Sequence, residues 1–304
     1  MKKAKCGFLN WYCNLVDKQR KEILELTLVV NSGEIYNSCY LIVEAHNGEL
    51  YQEIQLPKKQ VIIERDSIRI GENYFSKQGI NLNIISEASS IIGEVQFNEC
   101  KDTKQSKWYA SIMGPARYMP FLKSYHDVIS LSHELIGSFK INNESFDFTG
   151  GIGYAEKEWG KEYPKTWIWA QCNHFKRHDM SLMIGIARMP IWGSYYTVFS
   201  VPVHYKGQLE VFSSYNSGQI AKLYRYKQYV HIVITQKSKV LDIKIFGEED
   251  IPLTASRRSH KIRDVYACQN AKIEISIIQN NHRILDDIGY LGNIEIGGNT
   301  SKLK

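Results

Sequence analysis

Two neighbouring runs near the middle of this 304-residue chain carry the side chains from which proton chemistry can be assembled. The first is Tyr154-Ala155-Glu156-Lys157-Glu158-Trp159 and the second is Trp167-Ile168-Trp169-Ala170-Gln171-Cys172-Asn173-His174-Phe175. On extended strands alternate side chains share a face, so Tyr154, Glu156 and Glu158 point together while Lys157 and Trp159 point the other way. In the second run Trp167, Trp169, Gln171, Asn173 and Phe175 form one set, and Ile168, Ala170, Cys172 and His174 the other. The first set is a wall of aromatic rings with two carboxamides among them, the composition of a ligand cavity with a few fixed polar groups. A carboxyl group beside such a wall loses hydration, which favours its neutral form and raises its pKa toward the range where it donates a proton. Aromatic faces there would stabilise a developing carbocation by roughly 0.5–2 kcal/mol each. These parts suit proton donation to an alkene.

The same residues admit plainer roles. Glu156-Lys157-Glu158 also reads as a solvated strand edge, since charged side chains are seldom fully buried. Trp167 and Trp169 also read as barrel-closing core. Gln171 and Asn173 fit a core less well, because inward-facing amides must find hydrogen-bond partners. Tyr125-His126-Asp127 reads either as part of an acid–base network, its histidine titrating near neutrality, or as a loop with satisfied side chains. His174 and His178 have His-x-x-x-His spacing, but no third ligand accompanies them and no helix aligns them, so no metal site is expected. Gly150-Gly151-Ile152-Gly153 lacks the helix of a phosphate cradle, and neither a Gly-x-Ser-x-Gly motif nor a dinucleotide fingerprint occurs.

The elements that must position these groups read as strands. Trp11 to Val16 and Ile23 to Val30 flank the polar turn Asp17-Lys18-Gln19-Arg20-Lys21-Glu22, and Leu24, Leu26 and Leu28 alternate as a hairpin strand does. Short β-rich runs follow at 39–44, 50–56, 61–63, 67–70, 80–85 and 91–97, with Ser32-Gly33, Asn47-Gly48 and Gln78-Gly79 as turns. Residues 108–127, with Gly114, Pro115 and Pro120 among Trp108, Tyr109, Tyr118, Phe121 and Tyr125, read as a crossover loop or a lid. A further hairpin spans 135–141 and 145–149. Beyond the central runs, strands are expected at 195–205, 209–213, 221–226, 229–236, 240–246, 271–278 and 293–296, and one helix near 259–266. Laying Trp169 on Trp11 brings Leu182, Ile184 and Ile186 onto Leu24, Leu26 and Leu28, a weak internal repeat. The expectation is an all-β chain of two consecutive lipocalin-like antiparallel β-barrels or sandwiches packed together, divided as 1–160 and 161–304.

Composition sets the class. A hydrophobic content of 43% is enough for a substantial core. Lysine and arginine number 38 against 32 aspartates and glutamates, giving a formal charge of +6. The charges are interspersed, which speaks against a nucleic-acid partner. Cysteines at 6, 13, 39, 100, 172 and 268 form no Cys-x-x-Cys pair and read as reduced thiols. The basic start Met1-Lys2-Lys3-Ala4-Lys5 is followed by a segment broken by Asn10, Asn14 and Asp17, unlike a signal peptide. No run approaches the ~18–20 apolar residues of a membrane span. The expected location is the cytoplasm.

With these residues assembled, the chain resembles the tocopherol cyclase family, in particular its bacterial members. Tyr154-Ala155-Glu156-Lys157-Glu158-Trp159-Gly160, Tyr163-Pro164 and Trp167-Ile168-Trp169-Ala170-Gln171-Cys172-Asn173-His174-Phe175 are similar to that family's Glu-Lys-x-Trp-Gly, Phe-Pro and Trp-x-Trp-x-Gln-x-Asn-x-Phe pattern. Trp11-Tyr12, Met113-Gly114-Pro115, Tyr125-His126, Val203-His204-Tyr205-Lys206-Gly207, Pro252-Leu253 and Ile294-Glu295-Ile296-Gly297-Gly298 agree as well. The resemblance implies an intramolecular lyase that holds a prenylated quinol in an apolar cavity, protonates its nearest alkene and closes the chromanol ring with no cofactor or metal. It implies Glu156 as the general acid, with Lys157 beside it in the catalytic motif. Trp159, Trp167 and Trp169 would line the cavity, Tyr154, Gln171 and Asn173 would orient the substrate oxygen, and Tyr125 and His126 would contact the substrate. The implied partner is a hydrophobic prenyl lipid, reached through a peripheral contact with a membrane. Carotenoid 1,2-hydratases, which are distantly similar, imply the related alternative in which water attacks, and a non-catalytic carrier remains a third. Leu9-Asn10 and Cys13-Asn14 depart from the family's first-strand pattern, as does Tyr163 from its Phe.

Overall fold

The computed structural model describes residues 7–33, 37–45, 50–86, 89–101, 111–191, 193–226, 228–247 and 265–303. The chain divides into two compact units, Met1–Asp102 with Ser124–Glu162, and Thr103–Lys123 with Tyr163–Lys304. The first unit is built from β1 (Phe8–Val16), β2 (Ile23–Asn31), β3 (Cys39–Ala45), β4 (Tyr51–Gln55), β5 (Val61–Ile63), β6 (Ser67–Ile70), β7 (Asn73–Ser76), β8 (Gly79–Ile85), β9 (Ser90–Lys101), β10 (Ser124–Ile141), β11 (Glu144–Asp147) and β12 (Ile152–Gly160). They form one antiparallel sheet in the order β4-β3-β2-β1-β12-β10-β9-β8-β7-β6-β5, with β11 on β10. The second unit comprises β13 (Trp167–Cys172), β14 (His174–Phe175), β15 (Ser181–Ile191), β16 (Ser194–Tyr205), β17 (Gln208–Ser213), β18 (Gly218–Arg225), β19 (Tyr229–Gln236), β20 (Lys239–Phe246), β21 (Val265–Gln279) and β22 (His282–Gly297). Its order is β17-β16-β15-β13-β22-β21-β20-β19-β18, with β14 on β22.

Each sheet has its own apolar core, and the two large antiparallel sheets, one of them nearly barrel-shaped, give a lipocalin-like all-β fold. Alternation assigns the inner faces: Trp11, Cys13 and Leu15 of β1, Leu24, Leu26 and Leu28 of β2 and Ala155 of β12 join one core. Ile168, Ala170 and Cys172 of β13 with Leu182, Ile184 and Ile186 of β15 join the other. The β1–β2 turn is held by the Asp17 carboxylate, which accepts from the backbone N–H of Gln19 (2.9 Å), Lys21 (2.6 Å) and Glu22 (2.8 Å) while Arg20 takes φ 60°.

Three expectations need correction. Residues 124–127, read as part of a loop or lid, open β10, which continues unbroken through the residues expected to precede its hairpin; Asn73–Ser76 also adds a strand. Of the rest of that loop, 111–123 carry a short 3₁₀ turn at Gly114–Tyr118. There Gly114 (φ 53°) lies so close to Tyr215 that a Cβ would come within 2.7 Å of the ring. Trp108 and Tyr109 lie outside the described residues. The helix expected near 259–266 is not seen where the chain is described: Val265 and Tyr266 begin β21, and 259–264 lie outside the described residues. The repeat is off by one residue in its first strand. Trp11 pairs with Leu28 and faces the core, whereas Ile168, not Trp169, pairs with Ile186. Because the side-chain period is two, that slip puts Trp169 on the face opposite to its supposed counterpart.

Among the described residues no helix is long and apolar enough to cross a membrane.

Candidate active site

In the first unit the candidate residues fall on two faces of the same strands. Tyr154 and Glu156 of β12 lie on the face away from the core, flanked in register by Asn14 and Tyr12 of β1. That face is buried nonetheless. Glu156 is only 5% exposed, and Asn10, Tyr12, Asn14, Glu25, Thr27 and Tyr154 are buried beside it. So the solvated-edge reading of the Glu-Lys-Glu run does not describe Glu156. Strand β10 brings His126 opposite Glu158 and Val128 opposite Glu156. The imidazole Nε2 of His126 thereby sits 2.8 Å from Glu156 Oε2, and its Nδ1 is 3.9 Å from Glu158. The Tyr154 hydroxyl donates a short hydrogen bond to the same Glu156 oxygen.

Charge in this cluster follows from its neighbours. Burial alone would push the His126 imidazolium down, but the Glu156 carboxylate, helped by Glu158 and Asp127, raises it to about 9. At neutral pH the proton therefore rests on His126, and Glu156 is a carboxylate flanked by two donors. This differs from a simple neutral acid held against an aromatic wall. The group that holds the proton is the pair, and two tautomers, ion pair and neutral pair, are related by transfer across 2.8 Å. Since the folded-state pKa lies above the ordinary histidine value near 6.5, the pair's stabilisation is present below that pH and is lost as pH rises through about 9.

Lys157, Trp159 and Tyr125 lie on the other face. Tyr125 stacks on Trp159 (5.5 Å between centroids, 8° between planes), and the Lys157 amine lies 5.8 Å from the Trp11 ring and 5.7 Å from the Trp159 ring. The Lys157 amine donates to the Arg65 carbonyl at 2.8 Å. These three are thus separated by the sheet from Glu156, as strand alternation requires.

In the second unit Trp167, Trp169 and Gln171 share the face opposite the core, with Asn293 and Glu295 of β22 beside them, while Asn173, buried, falls in the gap between β13 and β14. Phe175 does not belong to this set. The strand breaks between β13 and β14 opposite Leu291, which takes φ 54°, and Phe175 turns into the core with Cys172. Trp167 donates its indole N–H to Glu295 Oε1 at 3.1 Å, and its ring lies flat over Gly297, where a Cβ would overlap it. Gly297→Ala is accordingly expected to tilt Trp167, break that hydrogen bond and cost about 1–3 kcal/mol, read by thermal unfolding and by the shift of tryptophan emission.

Gln171 is the most telling residue of this wall. It is 0% exposed, and neither its Oε1 nor its Nε2 has a hydrogen-bond partner among the described residues. The Oγ atoms of Ser181 and Ser200, which flank the wall on β15 and β16, are buried and unpartnered too. Each such group costs roughly 1–3 kcal/mol unless something supplies a partner, so the face suits a ligand with polar atoms as well as apolar area. In the first unit Asn14, beside Tyr154, is orphaned at both side-chain atoms in the same way. The sequence offered a signal for it: Asn10, Tyr12 and Asn14 form a period-two polar face within an otherwise apolar strand. His174 is buried and His178 exposed, and among the described residues no three histidines, cysteines or acids gather as a metal site would need.

Comparison with known proteins bears on this site. A family described as Tocopherol cyclase-like matches residues 100–298, a span that contains Tyr125, His126 and the candidate residues from Tyr154 to Asn173 but not Asn10, Tyr12 and Asn14 of β1. Two curated plant proteins match a shorter stretch. Tocopherol cyclase, chloroplastic, of Zea mays is 29% identical over 93 residues, covering 29% of this chain and 20% of that protein. Probable tocopherol cyclase, chloroplastic, of Oryza sativa subsp. japonica is 25% identical over 97 residues, 31% of this chain and 21% of that protein. The match thus spans about a fifth of the length of either relative. Solved structures share the fold at low identity. Kievitone hydratase from Nectria haematococca has a TM-score of 0.55 at 12% identity, covering 96% of this chain and 89% of its own. CghA with Sch210972 has 0.57 at 8% (96% and 88%), and a putative AttH from Nitrosomonas europaea has 0.53 at 14% (96% and 92%).

Proposed function

The chain belongs to the tocopherol cyclase-like family, and from that premise we propose that it closes a prenylated quinol, or a related isoprenoid lipid, onto its own alkene by acid catalysis without a cofactor. The observation that carries the reading is the buried Glu156, held between the Tyr154 hydroxyl and the His126 imidazole at 2.8 Å. An apolar substrate laid over this face removes water, and in a drier medium the neutral tautomer gains on the ion pair. The His126 proton then moves to Glu156, leaving a neutral carboxylic acid and a neutral imidazole. Glu156 protonates the less substituted alkene carbon, and the tertiary cation forms against the rings of Tyr12 and Tyr154, whose centroids are 6.2 Å apart. The substrate's phenolic oxygen attacks the cation, and its proton returns to the Glu156–His126 pair. Bonds and charges balance, and the product is an isomer of the substrate.

The orphaned amide of Gln171 favours a second reading, a carrier whose second-unit wall holds a ligand unaltered, and a hydratase stands between the two. Mass spectrometry separates them after incubation with a prenylated quinol: an isomer of equal mass supports cyclisation, a gain of one water supports hydration, and unchanged ligand co-purifying with the protein supports carriage. If cyclisation runs on the shared proton, kcat holds through neutral pH and falls above about pH 9 as His126 loses its charge. A profile still flat well above that pH removes His126 from the mechanism.

A further inference from the structure

The wall of the second unit does not end at Trp167. Strand β15, whose Met183, Gly185 and Ala187 pair with Gln171, Trp169 and Trp167, runs on through Arg188-Met189-Pro190-Ile191. It returns as β16 through Ser194-Tyr195-Tyr196-Thr197. Period two places Met189, Ile191 and, opposite Met189, Tyr196 on the face that carries Ala187 and Trp167. An apolar track therefore leads from the hairpin end to Trp167 and Trp169. Tyr196 is 52% exposed. On the reverse face Tyr195, 45% exposed, lies 5.7 Å from the Lys165 amine and 5.6 Å from the Arg188 guanidinium. From Arg188 to Thr197 the sequence holds no aspartate or glutamate. Exposed rings with cations at their base are the chemistry of a lipid–water interface, where amphipathic rings sit at headgroup depth and cations meet anionic headgroups.

We propose that the β15–β16 hairpin docks the protein on an anionic bilayer surface and passes an isoprenoid lipid along Ile191, Tyr196 and Met189 to the Trp167–Trp169 wall. The proposal rests on the reading of the ligand as a prenyl lipid and adds where that lipid is collected. A bilayer suits the hairpin better than a second copy, because a two-fold pairing would set Lys165 and Arg188 against themselves.

The test is co-sedimentation with vesicles of phosphatidylcholine alone and of phosphatidylcholine with phosphatidylglycerol. The protein is expected to partition onto the anionic vesicles about tenfold or more above the neutral ones, with the excess lost in high salt. The double variant Lys165→Glu/Tyr195→Ser is expected to lose about tenfold or more of that partitioning while turning over detergent-dispersed prenylquinol as before. Equal binding of variant and parent, or no vesicle binding by the parent, overturns docking. So does a change of oligomeric state in sedimentation velocity with vesicle binding unaffected, which assigns the hairpin to self-association. Glu156→Gln keeps its vesicle binding whatever its turnover, so failure of the catalytic reading leaves the docking result standing, and the reverse.

Discussion

Glu156→Gln is expected to lower turnover of a prenylated quinol by a factor of about 10²–10⁴, the range for removal of a positioned general acid. The fold should survive. Glutamine keeps the shape of glutamate, and with its carbonyl oxygen in the place of Oε2 it can still accept from both the Tyr154 hydroxyl and the His126 Nε2–H. What it cannot do is take a proton from His126 and pass it on. With the carboxylate gone, burial acts on His126 with less opposition, and its pKa falls from about 9. Turnover measured by product mass, thermal unfolding and the His126 titration followed by NMR together isolate the effect. Parent-like turnover in a folded Glu156→Gln protein would falsify the assignment of Glu156 as the proton donor. Tyr154→Phe is the milder companion: it removes one donor to the carboxylate and leaves the His126 pair intact.

Much of this arrangement was legible in the residues, and the parts that were not share a cause. Alternation within a single strand placed Tyr154 with Glu156, put Lys157 and Trp159 behind them, and set Trp167, Trp169 and Gln171 on one face. Lys157 follows Glu156 in the motif, yet the same alternation sets its side chain on the opposite face of the strand. The partnership of His126 with Glu156 needs the register of β10 on β12, thirty residues apart in sequence and shifted by irregularities between Val128 and Ser130 and between Ser130 and His133. No local pattern encodes such a pairing. The first part of β10 was hidden for a related reason. Val128 and Leu131 are buried, but so are Ser130, Ser132 and His133, so polar residues occupy the positions where apolar alternation would announce a strand. Phe175 left its expected set because one left-handed residue on the neighbouring strand, Leu291, interrupts the ladder. Asn14 carried a readable signal, a polar side chain in an apolar strand.

The acid stability of the protein should be governed in large part by His133. Its ring is 2% exposed, lies 4.0 Å from the Phe97 ring and presses so closely on Gly153 that a Cβ there would overlap Nε2. Neither ring nitrogen has a hydrogen-bond partner among the described residues. Burial alone drives its pKa down from 6.5 to about 3. The sign follows directly: the unfolded chain takes up the proton near 6.5 and the folded one near 3, so stability falls as pH drops between those values. The slope from this one group is at most about 1.4 kcal/mol per pH unit. Over the window that is on the order of 5 kcal/mol, comparable with the whole stability of a marginal domain. His126 does not mask it, because below its ordinary value that residue is charged in both states. His133→Leu keeps an apolar side chain against Phe97 and Leu135 and removes the titration. Urea unfolding from pH 7 to pH 4 should therefore show a slope shallower by close to one proton in the variant. At neutral pH the difference should be small, since leucine exchanges lost packing for the removal of two unpartnered buried nitrogens. Parallel slopes in parent and variant would mean that His133 finds a proton acceptor on acidification, and that the surroundings of Phe97 open to water before the rest of the barrel.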